Sequence, residues 1–310
     1  MQPDRPFIGI LLMLAFCVLA PLADAIAKLL GDVIPLAMLV LARFAIQAAI
    51  LLPIVLWLGQ DLKLPKGTLW FTWIRTALQI LGIGLMFTAL KYLPLADALA
   101  IAFVMPFIML VLGHYVLNET VGLHRAAACG VGFIGTLLVI QPNLVEVGAP
   151  ALLPLGVALI FALFMMVTRK IAKDIPPIKL QAISGIQATV VLIPFVAFGP
   201  TNGITEFGTQ GLGLLLLLGV IGTIAHLAMT ASLRFAPAST LAPMQYLEIP
   251  FGTCIGWLVF KDLPNGLAAI GIVVTICAGL YIVIREQRLS QASTDGTTEP
   301  SAAHNRSPAE

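Results

Sequence analysis

Residues 7–30 read FIGILLMLAFCVLAPLADAIAKLL. A helix rises about 1.5 Å per residue, and roughly twenty apolar residues cross the hydrocarbon of a bilayer. This stretch is therefore read as a membrane span, yet it contains Asp24 and Lys28. A second apolar run, 34–58, contains Arg43, and a run far along the chain, 238–260, contains Glu248. A charge near the bilayer centre costs about 2.5–3.5 kcal/mol on insertion scales. Such groups persist where they face a water- or ligand-filled cavity, or where they pair with one another.

Working outward from 7–30, the chain divides into ten apolar spans: about 7–30, 34–58, 68–91, 95–117, 123–141, 151–170, 178–198, 210–233, 238–260 and 264–284. Turn residues separate them, among them Gly31-Asp32, Leu93-Pro94, Pro176-Pro177 and Ala236-Pro237. The composition agrees. Of 310 residues, 59% are hydrophobic and only 10% charged, with a mean hydropathy of +1.01, whereas soluble domains run near 25% charged. The predicted fold class is an all-α membrane protein with the lipid bilayer as its main partner. The net charge of +2 and the lack of a basic run argue against nucleic acid. Cys17, Cys129, Cys254 and Cys277 all fall in apolar spans without C-x-x-C spacing, so neither a metal nor a disulfide is expected, and no cofactor motif stands out. Ala23-Asp24-Ala25 mimics a signal-peptide cleavage site, but the run continues past it and opens a series of spans, so it is read as an uncleaved first helix.

Orientation follows from Lys and Arg. With residues 1–6 cytoplasmic, twelve of the seventeen basic residues fall on the inside. Only Lys28, Lys91 and Lys261 fall outside, with Arg43 and Arg75 left within spans. Both termini are predicted in the cytoplasm of a bacterial-type cell, and the protein in its inner membrane. The Ser/Thr/Ala/Pro-rich segment 287–310 is read as a disordered tail.

The chain repeats itself at an offset of about 143 residues. Ala89-Leu90-Lys91-Tyr92-Leu93-Pro94 matches Ser232-Leu233-Arg234-Phe235-Ala236-Pro237, and Glu119 matches Asp262. Two repeats, 7–142 and 151–286, then hold five spans each. Five is odd, so the halves face opposite ways across the membrane. Inverted repeats are the architecture of alternating-access carriers, with the site near the midplane at the repeat interface.

These features resemble the drug/metabolite transporter superfamily, specifically the ten-helix EamA-type carriers. The segments that carry the likeness are the basic-Tyr/Phe-x-Pro turns at 91–94 and 234–237 and the acids Glu119 and Asp262. Ala23-Asp24-Ala25-Ile26-Ala27-Lys28 with Ala42-Arg43-Phe44 is similar to a bacterial subgroup that includes riboflavin and S-adenosylmethionine carriers. The resemblance implies a secondary carrier of a small polar metabolite, with riboflavin uptake as the best single choice. Transport of S-adenosylmethionine, another nucleoside-like compound or an amino acid is the alternative.

Ten residues are candidates for substrate binding or coupling. Asp24 and Lys28 are spaced i,i+4 on one helix face and can neutralise each other; Lys28 can also snorkel outward. Arg43, roughly 14 Å along its helix, is too deep to snorkel and should meet Asp24, Glu248 or a substrate. Glu248 lies near the middle of its span between Pro243 and Pro250, and its counterpart in the first repeat is near Met105. Its placement suits proton coupling, substrate contact or an ion pair. Arg75 and Gln79 are again i,i+4, and Arg75 is expected to snorkel to the cytoplasmic surface. Gln47, His226 and Gln245 are polar candidates for helix–helix hydrogen bonds or ligand contact, and Tyr246 for stacking on a flat substrate. Gly130-Val131-Gly132-Phe133-Ile134-Gly135 fits a dinucleotide fingerprint but lies in an apolar span with no strand before it, so close helix packing is its expected role. Gly252-Thr253-Cys254-Ile255-Gly256 suits packing within the fold or between two copies in a homodimer. An intramembrane enzyme is the rival class. Against it stands the lack of G-x-S-x-G, H-E-x-x-H, Walker A and any His cluster.

Overall fold

The computed structural model describes residues 5–102, 104–118, 122–140, 148–198, 208–261 and 266–295. Among the described residues there is no strand. In chain order the helices are α1 (Pro6–Gly31), α2 (Leu36–Trp57), α3 (Leu69–Ala89), α4 (Leu95–Ala102), α5 (Met105–Leu117) and α6 (Leu123–Ile140). A 3-10 turn, Ala149–Leu152, then leads into α7 (Leu153–Ala172), followed by α8 (Pro177–Ala197), α9 (Thr209–Phe235), α10 (Ala238–Gln245), α11 (Glu248–Phe260) and α12 (Gly266–Asp295). Prolines mark several helix starts, where the missing N–H costs nothing: Pro6, Pro35, Pro154, Pro177 and Pro237 lie at the first position or beside it.

The structure departs from ten uninterrupted spans. Among the described residues six helices, α1, α2, α3, α7, α8 and α9, are long and apolar enough to cross a membrane. The expected spans 95–117 and 238–260 are each two helices. In the second of these the break is a tightened turn: Leu247 N–H donates to Met244 O at 3.0 Å and Ile249 N–H to Tyr246 O at 3.3 Å. Pro250 has no N–H to offer Tyr246 O, so the regular i→i−4 ladder cannot close across this point. Pro106 withholds a donor from Ala102 in the same way. At its far end α12 runs on to Asp295, past the position where the sequence was read as a tail. Glu119, Asp262 and residues 296–310 lie outside the described residues.

The breaks keep the 143-residue step seen in the sequence. Helix α5 begins at Met105 and α11 at Glu248; α5 ends at Leu117 and α11 at Phe260. Each is followed by a left-handed residue, Asn118 (φ 52°) and Lys261 (φ 63°). The packing is equally paired. Helix α1 lies along α9 as α3 lies along α7, α2 packs on α8 and α6 on α12. The broken arm α4–α5 rests on α7, and α10–α11 rests on α1. Every one of these contacts joins the first half to the second, so the seam between halves is the core of the molecule.

The outer surface is apolar: Leu81, Ile134 and Val190 are each more than half exposed, and Trp57, Trp70 and Phe198 more than two thirds. Such a surface would aggregate in water, but it faces lipid comfortably. Trp57 and Trp70 sit at the two helix ends of the α2–α3 connection, where aromatic side chains anchor at a membrane interface. The G-x-G-x-x-G stretch packs as expected from its apolar context. A Cβ built on Gly132 would come within 2.5 Å of the Tyr246 ring, so glycine lets α6 approach the broken arm.

Candidate functional site

A cavity of about 70 Å³ opens at the seam. Apolar walls come from α1 (Phe16), α3 (Ile83, Met86, Phe87), α4 (Leu99) and α7 (Val157, Phe161). Into this apolar chamber project four polar side chains, Asp24 from α1, Arg43 from α2, His226 from α9 and Glu248 from α11. Asp24 and Arg43 come from the first half, His226 and Glu248 from the second. Met105, at the start of α5, and Glu248, at the start of α11, line the same chamber. The repeat thus brings its two helix breaks to one place and puts a thioether on one side and a carboxyl on the other.

Arg43 is 2% exposed. Its Nη2 donates to the carbonyl of Gly222 at 3.1 Å, while Nη1 is buried with no hydrogen-bond partner. Among the described residues no ion pair within 4 Å joins it to Asp24 or Glu248, so the expected acid partner is replaced by a backbone carbonyl. Asp24 and Arg43 still feel each other electrostatically, and so do Asp24 and Glu248. The close contact with α9 needs glycine. A Cβ at position 222 would stand 2.8 Å from Nε of Arg43. The guanidinium lies 5.1 Å from the Phe44 ring, a cation–π contact that offsets part of its burial.

Six of the ten candidates lie elsewhere. Lys28 turns away from this chamber: its Nζ donates to Leu93 O at 2.7 Å and lies over Phe260. It lines a second, more polar cavity with Asp32, Lys91 and Tyr92. Phe87 lines both cavities. Gln47 donates through Nε2 to Gln181 O at 2.8 Å. Gln245 donates to Met165 Sδ at 3.0 Å, leaving Oε1 unpartnered. Tyr246, expected to offer a stacking face, is fully buried and its hydroxyl donates to Cys129 O at 3.1 Å.

Arg75 is the clearest correction. It does not snorkel; it is 0% exposed. Its Nε donates to Thr168 Oγ1 at 3.0 Å, Nη1 to Ser184 Oγ at 2.6 Å and to Gln79 Oε1 at 3.4 Å, and Nη2 to Thr230 Oγ1 at 3.0 Å. The guanidinium also stacks over Phe164 at 4.7 Å. Four helices, α3, α7, α8 and α9, are thereby tied together beside the cavity. Gln79 bridges from this knot to the chamber, its Nε2 lying 3.1 Å from Nδ1 of His226.

Residues that sequence reasoning did not single out complete the site: Phe16, Phe87, Phe161 and Gly222 at the chamber, and Thr168, Ser184 and Thr230 at the knot. The pair Gly219 and Gly222 in one apolar helix was a usable signal, since small residues let another element approach. Among the described residues no group of His, Cys, Asp and Glu is placed to hold a metal ion.

The model of the EamA-like transporter family matches the chain twice, at residues 7–141 and 149–285. The chain belongs to this family, and it is a multi-pass membrane protein. Among curated proteins it is 26% identical over 288 residues to a riboflavin transporter of Vibrio cholerae, covering 90% of this chain and 92% of that one. It is 26% identical to an S-adenosylmethionine uptake transporter of Rickettsia bellii (86% and 89% covered) and 24% identical to a pseudopaline exporter of Pseudomonas aeruginosa (89% and 93%). A solved crystal structure of a protein 19% identical in sequence superposes with a TM-score of 0.71 over 92% of this chain and 98% of that one, a likeness of fold.

Proposed function

We propose that this chain is a secondary carrier for riboflavin or a closely related flat, hydrogen-bonding metabolite in a bacterial inner membrane. Its two repeats, five membrane passes each, are inverted relative to one another, with both termini cytoplasmic. Each broken arm counts as one pass. The observation that carries the reading is the chamber itself: an apolar space walled by Phe16, Phe87 and Phe161, with a buried guanidinium N–H, an imidazole and two carboxyls converging from both halves. Phenylalanine faces suit a planar ring system, and the unpartnered Nη1 of Arg43 suits a carbonyl acceptor. The relatives named riboflavin transporter support the choice. The two carboxyls against one guanidinium also suit a cationic zwitterion, and relatives named for S-adenosylmethionine uptake make that compound the second reading.

The test is growth of a riboflavin auxotroph at low vitamin concentration. Expression of the chain should restore growth, and failure to do so while S-adenosylmethionine enters vesicles would move the assignment to the second compound. Glu248, in electrostatic reach of Asp24 and without a hydrogen-bond partner among the described residues, is the proposed proton-coupling group. Glu248→Gln should abolish the response of uptake to an imposed pH gradient while leaving exchange of substrate intact. Uptake by this variant that still follows the gradient would exclude the coupling role.

A further inference from the structure

Arg75 fixes the orientation of Gln79. The guanidinium has only donors to offer, so the side of Gln79 facing it must be Oε1, and the contact is seen at 3.4 Å. The amide NH₂ is then turned toward Nδ1 of His226 at 3.1 Å. A donor facing Nδ1 requires that nitrogen to be bare, so the ring proton resides on Nε2. Three phenyl rings clamp the imidazole in this pose: Phe16 at 5.8 Å and Phe164 at 6.0 Å meet it edge-on, and Phe161 lies tilted at 6.0 Å. The charged groups around the ring are Arg75 on α3 and, across the chamber, Asp24 on α1, Arg43 on α2 and Glu248 on α11. Thr230 closes the network, accepting from Arg75 and donating to the His226 carbonyl at 2.8 Å. His226 lines the chamber, and no protein group takes up its Nε2 among the described residues.

We propose that Arg75 and Gln79 are positioning residues that hold His226 in the Nε2–H tautomer, so that the carrier selects substrates presenting a hydrogen-bond acceptor, such as a ring carbonyl or ring nitrogen, to that N–H. The inference rests on the reading of the chamber as the substrate site. A structural role for Arg75 alone would not require any particular tautomer. A site built to donate rejects ligands lacking the acceptor, because the buried N–H is then left unpaired.

The experiment is nitrogen NMR of protein labelled with ¹⁵N-histidine and reconstituted in nanodiscs, with His226→Asn identifying the resonances of His226. Wild type should show Nδ1 unprotonated and Nε2 protonated at neutral pH. Gln79→Glu replaces the facing NH₂ by an acceptor, and the proton should appear on Nδ1. Gln79→Met, which keeps the length and removes both polar atoms, should give mixed tautomers; it also decides the matter where Gln79→Glu fails to fold. Riboflavin binding should weaken roughly tenfold to a hundredfold in His226→Asn, and also in whichever Gln79 variant is recovered. A protonated Nδ1 in wild type, a tautomer unmoved by the recovered Gln79 variants, or full riboflavin affinity in His226→Asn would overturn the proposal. If wild type binds neither riboflavin nor S-adenosylmethionine, those substrate assignments fall, and the NMR signature alone then decides whether Gln79 sets the His226 tautomer.

Discussion

Arg43 and Arg75 are both buried and neither has a carboxylate within ion-pair distance among the described residues. Yet they are held in opposite ways. Arg75 places four of its N–H donors on side chains from α3, α7, α8 and α9. Arg43 places one, on a backbone carbonyl, and leaves Nη1 buried and unpartnered at the edge of a cavity. A buried cation whose every nitrogen has a side-chain acceptor reads as structure, since little remains for a ligand to take. An unsatisfied one is costly at rest, and a ligand that supplies the missing acceptor recovers that cost. Burial alone therefore does not distinguish a structural arginine from a functional one; the count of satisfied donors does.

The largest effect on folding should come from Arg75→Met. It strips the acceptors of Ser184 and Gln79 of their donor and unties four helices, so unfolding in detergent should shift by about 2–4 kcal/mol, with correspondingly little folded carrier. A variant as stable as wild type would erase the contrast between the two arginines. Gly222→Ala should have a smaller effect. The added Cβ would meet Arg43 Nε at 2.8 Å, and the guanidinium, as the free end of a flexible side chain, is what moves. Folding should survive and substrate affinity should fall severalfold, read by binding to protein in nanodiscs. Unchanged affinity would show that the seat of Arg43 does not matter.

Smallest of all is Asp61→Asn. Asp61 sits in the α2–α3 connection and accepts from Lys179 Nζ at 3.0 Å, and that hydrogen bond holds its carboxyl below the usual carboxylate range. A depressed acid contributes stability above its unfolded pKa of about 3.9 and loses it as pH falls through the lower folded value. Wild type should therefore exceed the variant slightly at neutral pH, with the gap closing in acid. Asp61 is solvent-exposed while Lys179 is largely buried, so salt reaches the pair from the carboxylate side and the gap should also shrink in high salt. A gap that grows toward low pH would contradict the assigned sign.

Much of the helical order was legible because apolar runs bounded by Pro and Gly leave little choice. The 143-residue step was legible too, from the turns at Pro94 and Pro237. The breaks before Met105 and Glu248 were not, because each lies inside an apolar run that reads as one span. The sequence placed Asp24, Arg43, His226 and Glu248 among the candidates, since ionisable groups stand out against lipid-facing residues. It misread Arg75, because depth along one helix says nothing about Thr168, Ser184 and Thr230, which approach from three others. It likewise expected an acid for Arg43, where the partner is a main-chain carbonyl that residue types alone do not reveal.

The proposed carrier role depends on Arg43 as the ligand-facing group of the seam. Uptake of labelled riboflavin into proteoliposomes, wild type against Arg43→Met, tests it most directly. Wild type should give saturable uptake displaced by unlabelled riboflavin, and the variant should lose roughly a hundredfold in uptake efficiency, on the order of a lost charge-assisted hydrogen bond, while melting within about 1 kcal/mol of wild type. Equal uptake by the two proteins would contradict the assignment.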